Sequence, residues 1–126
     1  MPVKYNVVER GKPADPAAPK KFYAQVKSSG TCDIRKLGGE ISRMSSLSRA
    51  DTMAVLECLV ELLPLHIADG EIVRLGEFGS FSMSVKSEGS TTADAVNAGN
   101  IRNRRLLFRP GRQIRKELNN AEFEKA

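Results

Sequence analysis

The alternation of apolar and polar residues near the N-terminus predicts two short β-strands. Apolar side chains occupy every second position from Val3 to Val7 and again from Phe22 to Val26, and this period is typical of half-buried strands. Three prolines lie between the two stretches, in residues 11–19. Because proline cannot continue a hydrogen-bonded ladder, we expect an exposed connection there. Residues 1–30 are therefore predicted to form an N-terminal β segment.

The stretch of the chain after this β segment shows the spacing of an α-helix. Apolar residues recur every three or four positions from Ile34 to Met44, which predicts a first helix. The helix contains Gly38 and Gly39, each of which lowers helix propensity by up to about 1 kcal/mol. We therefore expect a neighbouring element to pack closely against these glycines.

The most strongly patterned stretch predicts a second helix. Ser48 and Asp51 have the spacing of a capping box, and Asp69-Gly70 marks the end of the helix. Its apolar positions between Met53 and Ile67 cover too wide an arc for one neighbour. Such an arc requires either an encircling fold or a second subunit, and we favour a dimer. Pro64 lies within the helix, where we expect a kink or a change of geometry.

Strand patterns dominate the second half of the chain. A short strand is predicted at 72–75 and a turn at 76–79, followed by a strand in which Phe81, Met83 and Val85 alternate with serines. Residues 88–99 are small and polar, which is typical of a mobile loop or arm. A further strand at 104–109 has Leu106 and Phe108 on its core side, and Arg105, Leu107 and Arg109 share the other face, so cations are predicted opposite the core side. It ends at Pro110-Gly111, and a short amphipathic helix follows.

The positive charge of the chain is concentrated near its ends. The formal net charge is +5, but residues 102–118 contain seven cations and only Glu117 as an acid. Guanidinium groups form paired hydrogen bonds with phosphate oxygens, so phosphate is the natural ligand of such a run; the alternative is an ordinary solvated face. The candidate nucleic-acid-binding residues are Lys86, Arg102, Arg104, Arg105, Arg109, Arg112, Arg115 and Lys116.

Residues that carry catalysis or bind metals are not grouped in this sequence. His66 is the single histidine, and neither Cys32 nor Cys58 lies at ligand spacing from it. No nucleophile elbow or phosphate-binding glycine loop occurs. We therefore expect no enzymatic activity, cofactor, metal or small-molecule substrate. The sequence also lacks a run of about 18 apolar residues, and we expect a cytoplasmic protein with no membrane partner.

Three motifs, in conserved order, resemble those of the bacterial histone-like HU and integration host factor family. Residues 47–51 (Leu-Ser-Arg-Ala-Asp) are similar to the turn between the family's first two helices. Residues 78–81 (Phe-Gly-Ser-Phe) and 108–112 (Phe-Arg-Pro-Gly-Arg) resemble its strand-turn signatures. The resemblance extends from Thr31 to about Leu118. It implies an α+β fold with a helical hairpin, a three-stranded antiparallel sheet bearing a long arm at 87–103, and a short C-terminal helix, so that residues 31–126 form the HU-like domain and 1–30 are an extension.

The resemblance also implies an intertwined homodimer that binds double-stranded DNA in the nucleoid, largely independently of sequence, with a basic saddle and two arms. Lys86, Arg105, Arg109 and Arg112 fall where family members contact phosphates. The family's arm carries a proline that kinks DNA, but residues 87–103 contain no proline. The alternative is a structural or protein-interaction module that retains the fold. The segment 1–30 is expected either to extend the basic surface through Lys20, Lys21 and Lys27 or to cover a sheet edge.

Overall fold

Two three-stranded sheets and three α-helices make up the chain in the computed structural model, which describes residues 1–126. The elements, in order, are β1 (Val3–Arg10), β2 (Lys21–Val26), α1 (Ile34–Met44), α2 (Arg49–Ala68), β3 (Val73–Arg74), β4 (Gly79–Ser87), β5 (Ile101–Pro110), α3 (Arg112–Asn119) and β6 (Phe123–Lys125). The predicted α+β class is confirmed. The chain divides into two compact units, one formed by Met1–Asp33 with Glu117–Ala126 and the other by Ile34–Lys116.

The first unit is a sheet with the strand order β2-β1-β6. Strands β1 and β2 are antiparallel, in a register that runs from Tyr5 opposite Val26 to Arg10 opposite Lys21. On its other edge β1 pairs in parallel with β6, with Val3 opposite Phe123. The sequence pattern predicted β1 and β2 but not β6. Three residues are too few for a periodicity to be recognised, and their partner lies more than a hundred positions earlier in the chain.

The second unit begins with the two packed helices. Gly38 is buried in α1, and a Cβ atom there would lie 2.6 Å from the sulfur of Met53 in α2. The predicted close approach at this glycine is thus present. The Ser48 hydroxyl caps α2 by accepting a hydrogen bond from the Asp51 N–H at 3.1 Å. A kink or a change of geometry was expected at Pro64, which lies inside α2, and the helix continues past it to Ala68.

The second sheet has the order β3-β4-β5, and both pairs are antiparallel. Strand β3 is shorter than predicted and is followed by a 3₁₀ turn at Gly76–Phe78. The turn before β4 and the turn after β5 meet at the same end of the β4–β5 ladder. The Gly111 N–H donates to the Phe78 carbonyl at 2.8 Å, and a Cβ at Gly111 would collide with the carbonyl group of Glu77. Only glycine therefore fits at position 111.

A single chain buries very little of its apolar surface. No hydrophobic side chain is buried, and Thr52 is the only side chain that is almost completely shielded. The apolar arc of α2 accordingly has no adequate cover within its own chain. None of the helices combines the length and apolar character needed to cross a membrane.

Candidate nucleic-acid interface

The two faces of strand β4 carry different kinds of side chain. Successive side chains of a strand point to opposite sides of the sheet. Ser80, Ser82, Ser84 and Lys86 therefore share one face, and the apolar residues from Phe81 to Val85 share the other. Serine side chains are short and carry hydroxyl groups, so the first face leaves room for a bulky ligand to approach the backbone.

Strand β5 contributes arginines to the same face. Directly opposite residues of an antiparallel pair point to the same side, and Arg105 lies opposite Ser84 while Arg109 lies opposite Ser80. Neither guanidinium has a carboxylate within 4.0 Å. The predicted placement of cations opposite the core side of this strand is thus present. We call Ser80, Ser82, Ser84, Arg105 and Arg109 the serine–arginine face.

The ladder contains a β-bulge between Val85 and Lys86. Val85 pairs with Arg104 and Lys86 pairs with Arg102, so Asn103 has no partner on β4. Asn103 has a φ of 42°, and it is the only non-glycine residue with a positive φ. Asparagine is one of the few residues that tolerate this conformation. The bulge changes the phase of β5 and places Arg102 beside Lys86 at the end of the serine–arginine face.

Arg102 is already engaged within its own chain. Its Nε donates to Glu88 Oε1 at 3.0 Å, and its guanidinium also donates to the Gly99 carbonyl at 3.0 Å. Both members of the ion pair are more than half exposed, so water screens the attraction between them. A phosphate would have to displace Glu88 to use this arginine fully.

Arg104 lies on the other side of the sheet from Arg105. It pairs with Val85 and therefore shares the face of Met83 and Leu106. A cavity of about 390 Å³ next to the end of α2 is lined by both Arg104 and Arg105, together with Met83 and Leu106, so the opposite faces of the two arginines follow from the strand register alone. The charge count alone did not distinguish Arg104 from Arg105, because it does not show which face of the sheet each side chain occupies. That face depends on the strand register.

The remaining candidate cations lie beyond β5. Arg112 Nε is 3.9 Å from Glu77 Oε2, and both side chains are exposed. Arg115 and Lys116 are exposed on α3 and have no carboxylate within 4.0 Å. Of the eight candidates, two are thus paired with carboxylates, Arg102 and Arg112.

The segment between β4 and β5 folds back on itself. Two 3₁₀ turns occur at Ala93–Ala95 and Ala98–Asn100, where the sequence showed no periodicity. The Glu88 N–H donates to the Asn100 carbonyl at 2.8 Å, and Asn97 and Asn100 form a reciprocal cap. These bonds tie the start and end of the loop together at the base of β5.

Three phenylalanines support the serine–arginine face from behind. Phe81 and Phe108 are cross-strand partners whose ring centroids are 4.7 Å apart, and Phe78 lies 5.7 Å from Phe108. Aromatic pairs at such distances add to the stability gained from burial. The two sequence motifs that contain these rings thus meet in space and hold β4 against β5.

Comparisons with family models and with individual proteins agree on one family. Residues 1–125 match the family described as an HU domain fused to a winged helix-turn-helix, Ig or glycine-rich motif. The integration host factor subunit alpha of Rhizorhabdus wittichii is 34% identical over 91 residues, which are 71% of this chain and 91% of that protein.

Two solved structures share the fold. A bacterial DNA-binding protein of Bacteroides vulgatus, described as putative, has a TM-score of 0.65 at 13% identity over 98% of this chain, which spans 47% of that structure. The HU of Anabaena, crystallised with DNA, has a TM-score of 0.56 at 19% identity and matches 71% of this chain and 99% of its own. The fold expected from the sequence motifs is confirmed, and the chain belongs to the HU and integration host factor family of DNA-binding proteins.

Proposed function

We propose that this protein is a non-enzymatic, architectural DNA-binding protein of the bacterial nucleoid, and that it binds duplex DNA largely independently of sequence through its serine–arginine face. The observation that carries the proposal is the pairing of Arg105 and Arg109 with serines across β4, with no carboxylate beside either guanidinium. Cations that are not neutralised within the protein are available to phosphates. Serine hydroxyls supply further hydrogen bonds and add little bulk.

The functional unit in this proposal is a homodimer. Several large apolar side chains of α2 are more than half exposed in the single chain, among them Val55, Leu62 and Leu65. Monomeric soluble proteins rarely expose apolar surface on this scale, and two-fold pairing of identical faces is the commonest way to cover it. A dimer would present two serine–arginine faces related by symmetry.

The mechanism in this proposal is electrostatic. Each phosphate that a cation neutralises releases condensed counterions, so log affinity falls with log salt concentration at a slope of about −0.9 per contact. Contacts to the phosphate backbone carry no base information. The loop at 88–100 has no proline to insert between base pairs, so we propose that strong kinking of the duplex is not part of the function.

A second candidate function is a structural or protein-interaction module that retains the fold. The ion pairs of Arg102 with Glu88 and of Arg112 with Glu77 favour it, since each removes a cation from the basic surface. The other six candidate cations have no carboxylate partner, which weakens the case for an interaction module.

A gel-shift titration of duplex DNA at about 50 mM salt separates the two candidates. The proposal predicts binding that weakens steeply as salt is raised and that differs little between unrelated sequences. Absence of duplex binding at tens of micromolar protein would contradict it and favour the interaction module.

A further inference from the structure

The turn between β1 and β2 forms a second cluster of cations, which shares no residue with the serine–arginine face. A cleft of about 340 Å³ is lined there by Arg10, Lys12, Lys21 and Tyr23, with Gly11, Pro19 and Ala24. The whole cleft lies within the N-terminal unit. It contains three cations and no acidic residue.

Strand pairing places two of these cations side by side. Arg10 lies directly opposite Lys21, and Val8 lies opposite Tyr23, so the two cations and the phenol ring point to the same side of the sheet. Like charges in directly opposite positions destabilise a strand pair. An arrangement that is unfavourable in the free protein becomes favourable when an anion lies between the two charges.

The carboxylates nearest in sequence do not neutralise this cluster. Glu9 lies opposite Phe22 and therefore points to the other side of the sheet. The carboxylate of Asp15 accepts a hydrogen bond from the Ala17 N–H at 3.2 Å. No carboxylate is within 4.0 Å of Arg10, Lys12 or Lys21.

A fourth cation, Lys20, lies close to Gly11, which lines the cleft. A Cβ at Gly11 would lie 3.6 Å from the Cγ of Lys20, so the stem of Lys20 packs beside the glycine. The Asp15 N–H donates to the Lys12 carbonyl at 3.1 Å and closes the turn from Lys12 to Asp15. This bond fixes the backbone at Lys12, one of the residues that line the cleft.

We infer that this cationic cleft binds the phosphodiester backbone of duplex DNA as a second contact, in addition to the serine–arginine face. Arg10 and Lys21 would neutralise phosphate oxygens, and the Tyr23 hydroxyl would donate a hydrogen bond to one of them. A second contact on the same chain raises the overall affinity by converting one binding event into an intramolecular one. The inference rests on the proposed DNA-binding function.

The first test is a salt series on the full chain with a fluorescent duplex. Arg10→Gln combined with Lys21→Gln is expected to reduce the magnitude of the slope of log affinity against log salt by roughly 2 per protomer, which is roughly 4 per dimer. The matched control is Lys4→Gln combined with Lys125→Gln, which removes the same charge from the same unit outside the cleft; it should leave the slope nearly unchanged. Equal slopes for both double variants and the wild type would overturn the inference.

The second test locates the DNA directly. The photocrosslinking residue p-benzoylphenylalanine is placed at position 23 or, as the control, at position 22, which lies on the opposite side of the strand. Crosslinks to labelled duplex from position 23 alone support the cleft, and equal crosslinking or none from position 23 overturns it. If the wild type binds DNA and only these tests fail, the second contact is wrong; if the wild type binds no DNA, the proposed function and the inference fail together.

Discussion

Lys86 lies directly opposite Arg102, although an uninterrupted ladder would have placed Asn103 there. Asn103 forms the bulge that causes this change of phase. One residue with a positive φ therefore places Arg102 on the face that carries Lys86 and the serines of β4. The composition of the candidate interface depends on this local backbone conformation.

Replacing Asn103 tests the bulge. Asn103→Val is expected to lower the free energy of unfolding by about 1–2 kcal/mol, because a β-branched residue is strained at positive φ. Asn103→Gly is the control and should cost little, since glycine adopts this conformation readily. Urea unfolding at one fixed protein concentration measures both. An Asn103→Val variant as stable as Asn103→Gly would show that the bulge does not constrain this position.

Removing the carboxylate beside Arg102 should strengthen DNA binding. Glu88→Gln breaks the ion pair with Arg102, so the guanidinium can bind a phosphate and the salt slope should steepen by roughly 1 per protomer. Asp94→Asn is the matched control, because it makes the same charge change in the same loop and Asp94 has no ion pair within 4.0 Å. Identical gains from both variants would mean that only the net charge of the loop matters.

The two faces of β5 should differ in their effect on binding. Arg105→Gln with Arg109→Gln should weaken binding at least about tenfold near 0.1 M salt, to a similar extent on unrelated duplexes, because both lose phosphate contacts. Arg104→Gln removes a cation from the opposite face and should have a much smaller effect. A loss confined to particular sequences would instead indicate recognition of bases. Comparable losses from Arg104→Gln and from the double variant would contradict the assignment of faces.

The exposed side of α2 should be required for assembly. Leu62→Asp with Leu65→Asp places charge on side chains that are 52% and 62% exposed in the single chain, and we expect the dimer and its folded structure to be lost together. Leu62→Met is the conservative control and should retain the dimer. Sedimentation equilibrium with circular dichroism measures both properties. A wild-type chain that sediments as a folded monomer would show that no second subunit covers this helix.

The contact between the two turns can be tested at a glycine. Gly111→Ala places a Cβ against the backbone of Glu77 and Phe78, and overpacking of this kind costs about 1–3 kcal/mol. Gly89→Ala has open space around it and should be nearly neutral. Thermal unfolding at equal concentrations compares the variants. Equal unfolding midpoints for Gly111→Ala and Gly89→Ala would indicate that the two turns can move apart to admit the Cβ without loss of stability.

Local signals in the sequence predicted much of this fold. The Ser48 cap, the Asp69-Gly70 end of α2 and the alternation along β4 all depend on neighbouring residues, and each is present in the structure. The division of Leu106 and Phe108 from Arg105 and Arg109 followed from a period of two.

The features that the sequence did not predict depend on contacts between residues far apart in the chain or on the register of paired strands. Strand β6 exists because Phe123 and its neighbours meet β1. The different roles of Arg102 and Arg104 depend on the phase of the ladder, which one unpaired residue changes. The ion pair between Glu88 and Arg102 joins residues 14 positions apart, and their contact depends on how the loop between them folds.

The central claim is that duplex DNA lies on the serine–arginine face. A DNA-cleaving iron chelate attached through a cysteine tests it most directly, in a chain whose native Cys32 and Cys58 are replaced by serine. Attached through Ser82→Cys, the chelate is predicted to cleave bound duplex at closely spaced backbone positions. Attached through Met83→Cys, on the opposite face of the same strand, it should leave the duplex intact. Cleavage from position 83 but not from position 82 would contradict the account.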